Sequence, residues 1–362
     1  MDKQEIRLID ILRDKISKNG PINVGAFMDL CLSHPEHGYY MKKDPFGARG
    51  DFVTAPEVSQ IFGEMLGAWV ADIWHQLGSP EAFTLLECGP GRGTLMADIL
   101  RATRGVEGFH SALDLRLMEI SPVLKSMQEE KLSLYEPQWI EGIDEIPQGQ
   151  ALIVIGNEFL DALPFRSYQK TRSGWAERCV DVKDSELVFT LLDEETAPNC
   201  IPFHLRDVKV GSVFEYSEVR NEFFRNLSRI LADQGGAGLF IDYGHEKTAV
   251  GDTFQAIKDN SYSSVLNDIG DADLTSHVDF EMLVHNAIRE VRVHGPVTQG
   301  DFLKNLGIEI RAQMLIRHGG EKHEAQIKKD LHRLVASSEM GALFKVICMC
   351  GKNEPELKPA GM

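Results

Sequence analysis

No apolar run in this chain approaches the roughly 20 residues that a bilayer-spanning helix requires, so membrane insertion is not expected. Basic residues are in short supply too: 38 Lys and Arg stand against 55 Asp and Glu, a formal net charge of -17. A phosphate backbone is bound through clustered Lys and Arg. Here they are scattered and outnumbered, so no nucleic acid partner is expected, and a basic peptide or protein segment would be attracted instead. Only six cysteines occur in 362 residues, Cys31, Cys88, Cys179, Cys200, Cys348 and Cys350, dispersed and mostly flanked by apolar neighbours. They read as reduced, packed thiols. Cys348-Met-Cys350 is too lone a pair for structural zinc, which usually takes four ligands. His34, Glu36 and His37 find no matching second pair, so no metal is expected. The start, Met1-Asp-Lys-Gln-Glu-Ile, is acidic at once and shows no apolar core of a signal or transit peptide. The expected location is therefore the cytoplasm, or the mitochondrial matrix for a processed eukaryotic form.

Apolar content of 43% and charged content of 26% are ordinary for a soluble globular protein, and the length allows one large domain with insertions or two domains. The richest stretch is Thr84-Leu-Leu-Glu87-Cys-Gly89-Pro90-Gly91-Arg-Gly93-Thr94. Phe83, Leu85 and Leu86 make a short buried strand, and Leu95, Met96, Ile99 and Leu100 continue at helical spacing. The glycines sit at the joint, as in a cofactor-binding turn. A dinucleotide fingerprint is G-x-G-x-x-G, whose third glycine lets helix and strand pack closely. Here the triplet is G-x-G-x-G, with Thr94 or Met96 where the third glycine belongs, so NAD or FAD is disfavoured. Glu87 would repel a pyrophosphate and suit a cationic ligand, and S-adenosylmethionine carries both a sulfonium and an ammonium. A tight structural turn is the alternative.

A second strand, Leu113-Asp-Leu-Arg-Leu-Met118, ends on Glu119, 26 residues after Gly93, and Ser121-Pro122 starts another helix. A carboxylate there can accept both ribose hydroxyls of a nucleoside, in S-adenosylmethionine or in NAD. An ordinary solvated strand end is the competing reading.

Helical patterns mark Ile6 to Ile16 and Ile61 to Gln76, separated by irregular, glycine- and aromatic-rich words: His34-Pro-Glu-His-Gly-Tyr-Tyr40, Phe46-Gly-Ala-Arg-Gly-Asp-Phe52 and Thr54-Ala-Pro56-Glu57. Loops of this kind often carry function. From Phe83 strands and helices alternate through Trp139-Ile140 to Ala151-Leu-Ile-Val-Ile155, which argues for a parallel sheet covered on both faces. Residues from about 165 to 215 break the rhythm with short β segments around Arg172-Ser-Gly174. The core resumes with a helix over 221–232 and the strand Gly236–Ile241, whose polar end is Asp242-Tyr243-Gly-His245. Asp271 to Asp279 reads as a loop capping a helix from Phe280, Val291-Arg-Val293 and Leu343 to Met349 as late strands, and Lys352 onward as a frayed tail.

Gly50-Asp-Phe-Val-Thr54-Ala-Pro56-Glu57-Val-Ser-Gln-Ile-Phe-Gly-Glu64, Glu87 to Thr94, Asn157-Glu158-Phe-Leu-Asp161-Ala-Leu-Pro164, Asp242-Tyr-Gly-His245, Asp273 to Asp279 and Gly295-Pro-Val-Thr-Gln299 are distinctive words in a distinctive order. By them, nearly the whole chain resembles the MidA-like family of class I S-adenosylmethionine-dependent methyltransferases, which includes the mitochondrial complex I assembly-factor methyltransferase. The resemblance implies an α/β, Rossmann-like fold with a seven-stranded, mostly parallel sheet. It implies a helical N-terminal or lid segment over 1–80 and a core over 81–350. Two insertions fall at about 165–215, between strands four and five, and at about 246–290, with a tail over 351–362. For mitochondrial members it implies a protein substrate with an accessible arginine, on a subunit of respiratory complex I. A non-catalytic assembly factor that binds the cofactor, and a nicotinamide-dependent oxidoreductase, are the rival readings.

On this reading Gly89, Pro90, Gly91, Gly93 and Thr94 let backbone approach the methionine part of S-adenosylmethionine. Glu87 faces its positive end, Glu119 with Ile120 holds the nucleoside, and Thr54, Pro56 and Glu57 close over it. Asn157, Glu158 and Asp161 form the acceptor side: a guanidinium has five donors and a pKa above 12, so carboxylates must grip its N–H groups to localise a lone pair. Glu158 and Asp161, three apart, could share one site if the loop turns helically. This resembles the paired-glutamate loop of better-known arginine methyltransferases, with Asp in place of one Glu. A capping cluster before Leu163-Pro164 is the alternative. Asp242 could grip a basic substrate and Tyr243 could stack on adenosine or substrate. His245 and His277 are read as satisfying loop carbonyls.

Overall fold

Strands buried along their whole length need cover on both faces, and this requirement shapes the sheet at the centre of the larger part of the molecule. The computed structural model describes residues 7–42, 54–192, 199–319, 321–352 and 356–362. Seven strands follow one another across the sheet: Phe83–Cys88 (β1), Leu113–Met118 (β2), Gln138–Ile140 (β3), Ala151–Asn157 (β4), Gly236–His245 (β5), Arg292–Thr298 (β6) and Phe344–Cys350 (β7). Their order is β3-β2-β1-β4-β5-β7-β6. β3 to β5 are mutually parallel, and β7 runs antiparallel to both its neighbours. The two-residue strand Val278–Asp279 pairs with the end of β5, so the sheet holds one strand more than the resemblance implies. Every residue of β1 and β7 is buried.

Parallel neighbours require crossover helices. Thr94–Ala102 (α2) and Pro122–Leu132 (α3) supply them after β1 and β2, with Gln60–Gln76 (α1) packed beside α2. Ser121 caps α3 by accepting from the Leu124 N–H at 3.3 Å, and Pro122 opens it, as the sequence suggests. Gly63 and Gly67, one turn apart on α1, form a flat stripe: a β-carbon on them would lie 2.4 Å from Asp98 Cβ and 2.8 Å from Ala102 Cβ.

The chain divides into two units, one built from Met1–Phe52, Asp161–Asn221 and Lys247–His277, the other from Val53–Leu160, Glu222–Glu246 and Val278–Met362. In the first unit the helices Leu8–Asn19 and Val24–Ser33 bury Leu8, Leu12, Val24 and Phe27 with Phe165 and Val180. The small sheet expected over 165–215 is there, antiparallel, with Ile22–Asn23 of the N-terminal segment joining it. Gln255–Lys258, Ser261–Ser263 and Asp273–Thr275 form a further three-stranded sheet.

Three sequence expectations need correction. Asp271–Asp279 is not all loop, because Asp273–Thr275 and Val278–Asp279 pair as strands; Asp279 does cap the helix Phe280–Asn286, accepting from Met282 N–H at 3.0 Å. Between β6 and β7, among the described residues, lie four helices, Gln299–Asn305, Ile308–Gly319, Glu321–Val335 and Met340–Leu343, where the sequence reading named nothing before Leu343. Residues 356–362 are not frayed. Leu357 is buried in the second unit's core, and Gln76 binds both the N–H (2.8 Å) and the carbonyl (3.0 Å) of Lys358. Among the described residues no helix is long and apolar enough to cross a membrane.

Candidate active site

The glycine turn joins β1 to α2 at the carboxyl edge of the sheet. Gly89, Gly91 and Gly93 have φ of 64°, 52° and 71°, left-handed backbone that a β-carbon disfavours. A β-carbon on Gly89 would also come within 3.1 Å of the Phe159 ring. Gly93 N–H closes the turn onto the Pro90 carbonyl at 2.7 Å, and α2 starts at Thr94.

Glu87, one residue short of the end of β1, is buried, and its Oε2 has no hydrogen-bond partner among the described residues. Burial pushes its carboxyl up to about 8, helped by the charge of Glu119 and opposed by the Met96 N–H and Lys131. A buried, unsatisfied carboxyl beside a glycine turn is costly unless a cationic donor completes it. The α-ammonium of S-adenosylmethionine is such a donor.

Glu119 follows β2 and is also buried, which raises its pKa against the pull of three hydrogen bonds and Lys125. Its Oε1 accepts from the N–H groups of Ile120 (2.9 Å) and Ser121 (2.8 Å), and its Oε2 from Gln128 Nε2 (3.2 Å). A carboxylate offers about four acceptor sites, so capacity for a ribose hydroxyl remains. Ile120 is 45% exposed, apolar surface of the sort a flat base covers. Gln128, which the sequence reading missed, also donates to the Gly91 carbonyl at 2.7 Å and accepts from Trp139 Nε1 at 2.7 Å. Its signal is a polar residue on an apolar helix face: Leu124, Gln128 and Leu132, four apart, are the buried residues of α3.

Thr54 precedes the short helix Ala55–Val58, whose first turn accommodates Pro56. Glu57 Oε1 accepts from Thr94 Oγ1 at 2.7 Å, and Thr94 Oγ1 accepts from Lys131 Nζ at 2.8 Å. The helix is thereby tied to the glycine turn. Gly50 to Val53, and the word Phe46 to Phe52, lie outside the described residues.

At the end of β4, Glu158 is a non-glycine residue at φ 52°, a conformation that persists only when its surroundings impose it. Its N–H donates to the Ile241 carbonyl (2.9 Å), while its Oε1 accepts from Ala55 N–H (3.2 Å) and Asn157 Nδ2 (3.1 Å). Asn157 is buried, and its Oδ1 has no partner among the described residues. Asp242 is 1% exposed, and its two oxygens accept from the N–H groups of Leu160 and Tyr243, each at 2.9 Å. It braces the loop after Glu158 against the end of β5. The Tyr243 ring meets Phe344 edge-on at 5.4 Å.

Asp161 falls in the first unit, where its carbonyl accepts from Ser276 N–H and Arg220 Nη2, each at 3.1 Å. The His277 carbonyl also accepts from Arg220, while His245 Nε2 lies 3.5 Å from Asp279 Oδ2. Among the described residues no group of three or more His, Cys, Asp or Glu side chains could hold a metal ion.

Known proteins share this architecture. The family model for S-adenosyl-L-methionine-dependent methyltransferases matches residues 65–297. The mitochondrial protein arginine methyltransferase NDUFAF7 of Danio rerio is 36% identical over 92% of this chain and 84% of its own length. The same-named protein of Homo sapiens is 34% identical over 92% and 81%. A crystal structure from Burkholderia thailandensis, bound to S-adenosyl-homocysteine, matches with a TM-score of 0.82 at 28% identity, covering 95% of this chain and 91% of that one. The carboxyl-edge glycine turn with its two buried glutamates and the match over most of the chain lead to one conclusion: the chain belongs to the S-adenosyl-L-methionine-dependent methyltransferases, with S-adenosylmethionine as its cofactor.

Proposed function

We propose that the chain methylates an arginine side chain of a protein. The observation that carries this reading is Glu158, a carboxylate at the end of β4 in an imposed left-handed backbone, beside the unpartnered Asn157 Oδ1. The arginine methyltransferase relatives supply the substrate class.

S-adenosylmethionine, when bound, supplies a methyl group on a positively charged sulfur, open to direct displacement. The chain's task is alignment. Glu87 would hold the donor's ammonium, the turn amides its carboxylate, and Glu119 its ribose. Glu158 and Asn157 Oδ1 grip guanidinium N–H groups, which localises the lone pair on the attacking nitrogen. Glu158 would take up the proton that the attacking nitrogen loses. Asp242 keeps the Glu158 loop in register, and Tyr243 borders the acceptor side.

Since the relatives carry mitochondrial names, the compartment we propose is the mitochondrial matrix, with a bacterial cytoplasm as the alternative. A complex I subunit is the substrate the family resemblance favours. The test is transfer of radiolabelled methyl from S-adenosylmethionine into a cell lysate, with mapping of the labelled residue. Methylarginine is expected. Label only on lysine, a carboxylate or a small molecule overturns the arginine reading, and tight cofactor binding with no transfer favours an assembly factor.

A further inference from the structure

We infer that Gln128 is a positioning residue of the donor site, whose one side-chain amide sets the ribose carboxylate Glu119 and the glycine turn relative to each other. The inference rests on reading that site as the donor site. Gln128 is fully buried, and its amide can face only one way. One Nε2 proton goes to the Gly91 carbonyl (2.7 Å), the other to Glu119 Oε2 (3.2 Å), while Oε1 receives the Trp139 indole N–H (2.7 Å). A flipped amide would set oxygen against two acceptors and NH2 against a donor, leaving all three groups unsatisfied.

Both ends of the donor site hang on this amide. Glu119 Oε1 is fixed by the amides of Ile120 and Ser121, so the contact at Oε2 removes the carboxylate's remaining rotation. At the other end, the pinned Gly91 carbonyl fixes the peptide plane at the middle of the turn. In a trans peptide the carbonyl and the following N–H point in opposite directions, so the Arg92 N–H is directed away from Gln128. Trp139, on β3, anchors the amide from the third side and makes the network optically visible.

Gln128→Met preserves side-chain length while removing all three hydrogen bonds. Trp139→Phe removes only the third and leaves both Nε2 contacts. Binding of S-adenosylhomocysteine and of its 2′-deoxy analogue is measured by calorimetry on the folded full chain, together with kcat at saturating S-adenosylmethionine. Gln128→Met is expected to raise the Kd for S-adenosylhomocysteine about tenfold or more, the loss of one to two hydrogen bonds to a charged group. It should collapse the preference for the ribose over the deoxy ligand, with kcat changed far less than affinity. Trp139→Phe should shift both quantities the same way, by less. Weaker binding of both ligands with the preference intact means Gln128 is merely structural and overturns the inference, as does unchanged affinity. Should Gln128→Met fail to fold, an unchanged ribose preference in Trp139→Phe overturns it. A wild-type chain that binds no S-adenosylhomocysteine overturns the donor-site reading itself, a result distinct from either.

Discussion

Replacing Glu87 by Gln separates two properties that the wild-type residue combines. Burial pushes the folded-state carboxyl from 4.5 up to about 8, whereas the unfolded chain holds it near the ordinary glutamate value. Between those pH values the folded state carries a proton the unfolded state has lost, so folding stability is full at low pH and declines as pH rises to about 8. Above about 8 it levels off. At about 1.4 kcal/mol per unit, the whole decline amounts to at most about 5 kcal/mol. Glu87→Gln keeps the shape and removes the titration. Ligand-free Glu87→Gln should therefore match wild type near pH 4 and exceed it by several kcal/mol at pH 8.5, read by urea denaturation across that range. Binding should move the other way. In wild type the carboxyl must give up its proton to meet the ligand's ammonium, so affinity for S-adenosylmethionine should climb as pH rises toward 8, while in Glu87→Gln it should be weak and flat. Parallel stability profiles, or equal affinity of the two proteins, would refute the assignment of Glu87 as the buried counter-ion.

Gly91→Val places a β-branched residue at φ 52°, which should abolish S-adenosylmethionine binding by calorimetry; a folded variant with normal affinity would remove the turn from the site. Glu158→Gln should leave cofactor Kd within about twofold and lower turnover about a hundredfold or more, the scale of a lost proton acceptor. A loss of cofactor affinity there would put Glu158 on the wrong side of the reaction. Asp242→Ala strips the acceptor from two amides and should destabilise the fold by about 2–4 kcal/mol in chemical denaturation. Leu357→Ala should cost about 2–5 kcal/mol if the C-terminal residues are docked as described, and a change within error would show that they are not.

Some of this was legible in the residue order because it is local. Turn conformation depends on which residues lack a β-carbon, so Gly89, Gly91 and Gly93 announce their left-handed backbone. Apolar runs and caps such as Ser121-Pro122 announce β1, β4 and α3. Glu87 and Glu119 follow from their places at strand ends, since a parallel sheet brings all its carboxyl ends to one edge. What could not be read depends on partners far along the chain. Gln128 looks like any helical glutamine until the sheet brings Gly91, Glu119 and Trp139 around its amide. Asp242, 82 positions from Leu160, becomes a brace only through the pairing of β5 with β4. The left-handed Glu158 and the docked Leu357 likewise arise from packing that no local propensity encodes. Spacing along the chain thus identifies the glycine turn, because backbone geometry is a short-range property. The tertiary fold alone decides which side chains complete it, because burial and hydrogen-bond satisfaction are settled only when distant segments meet.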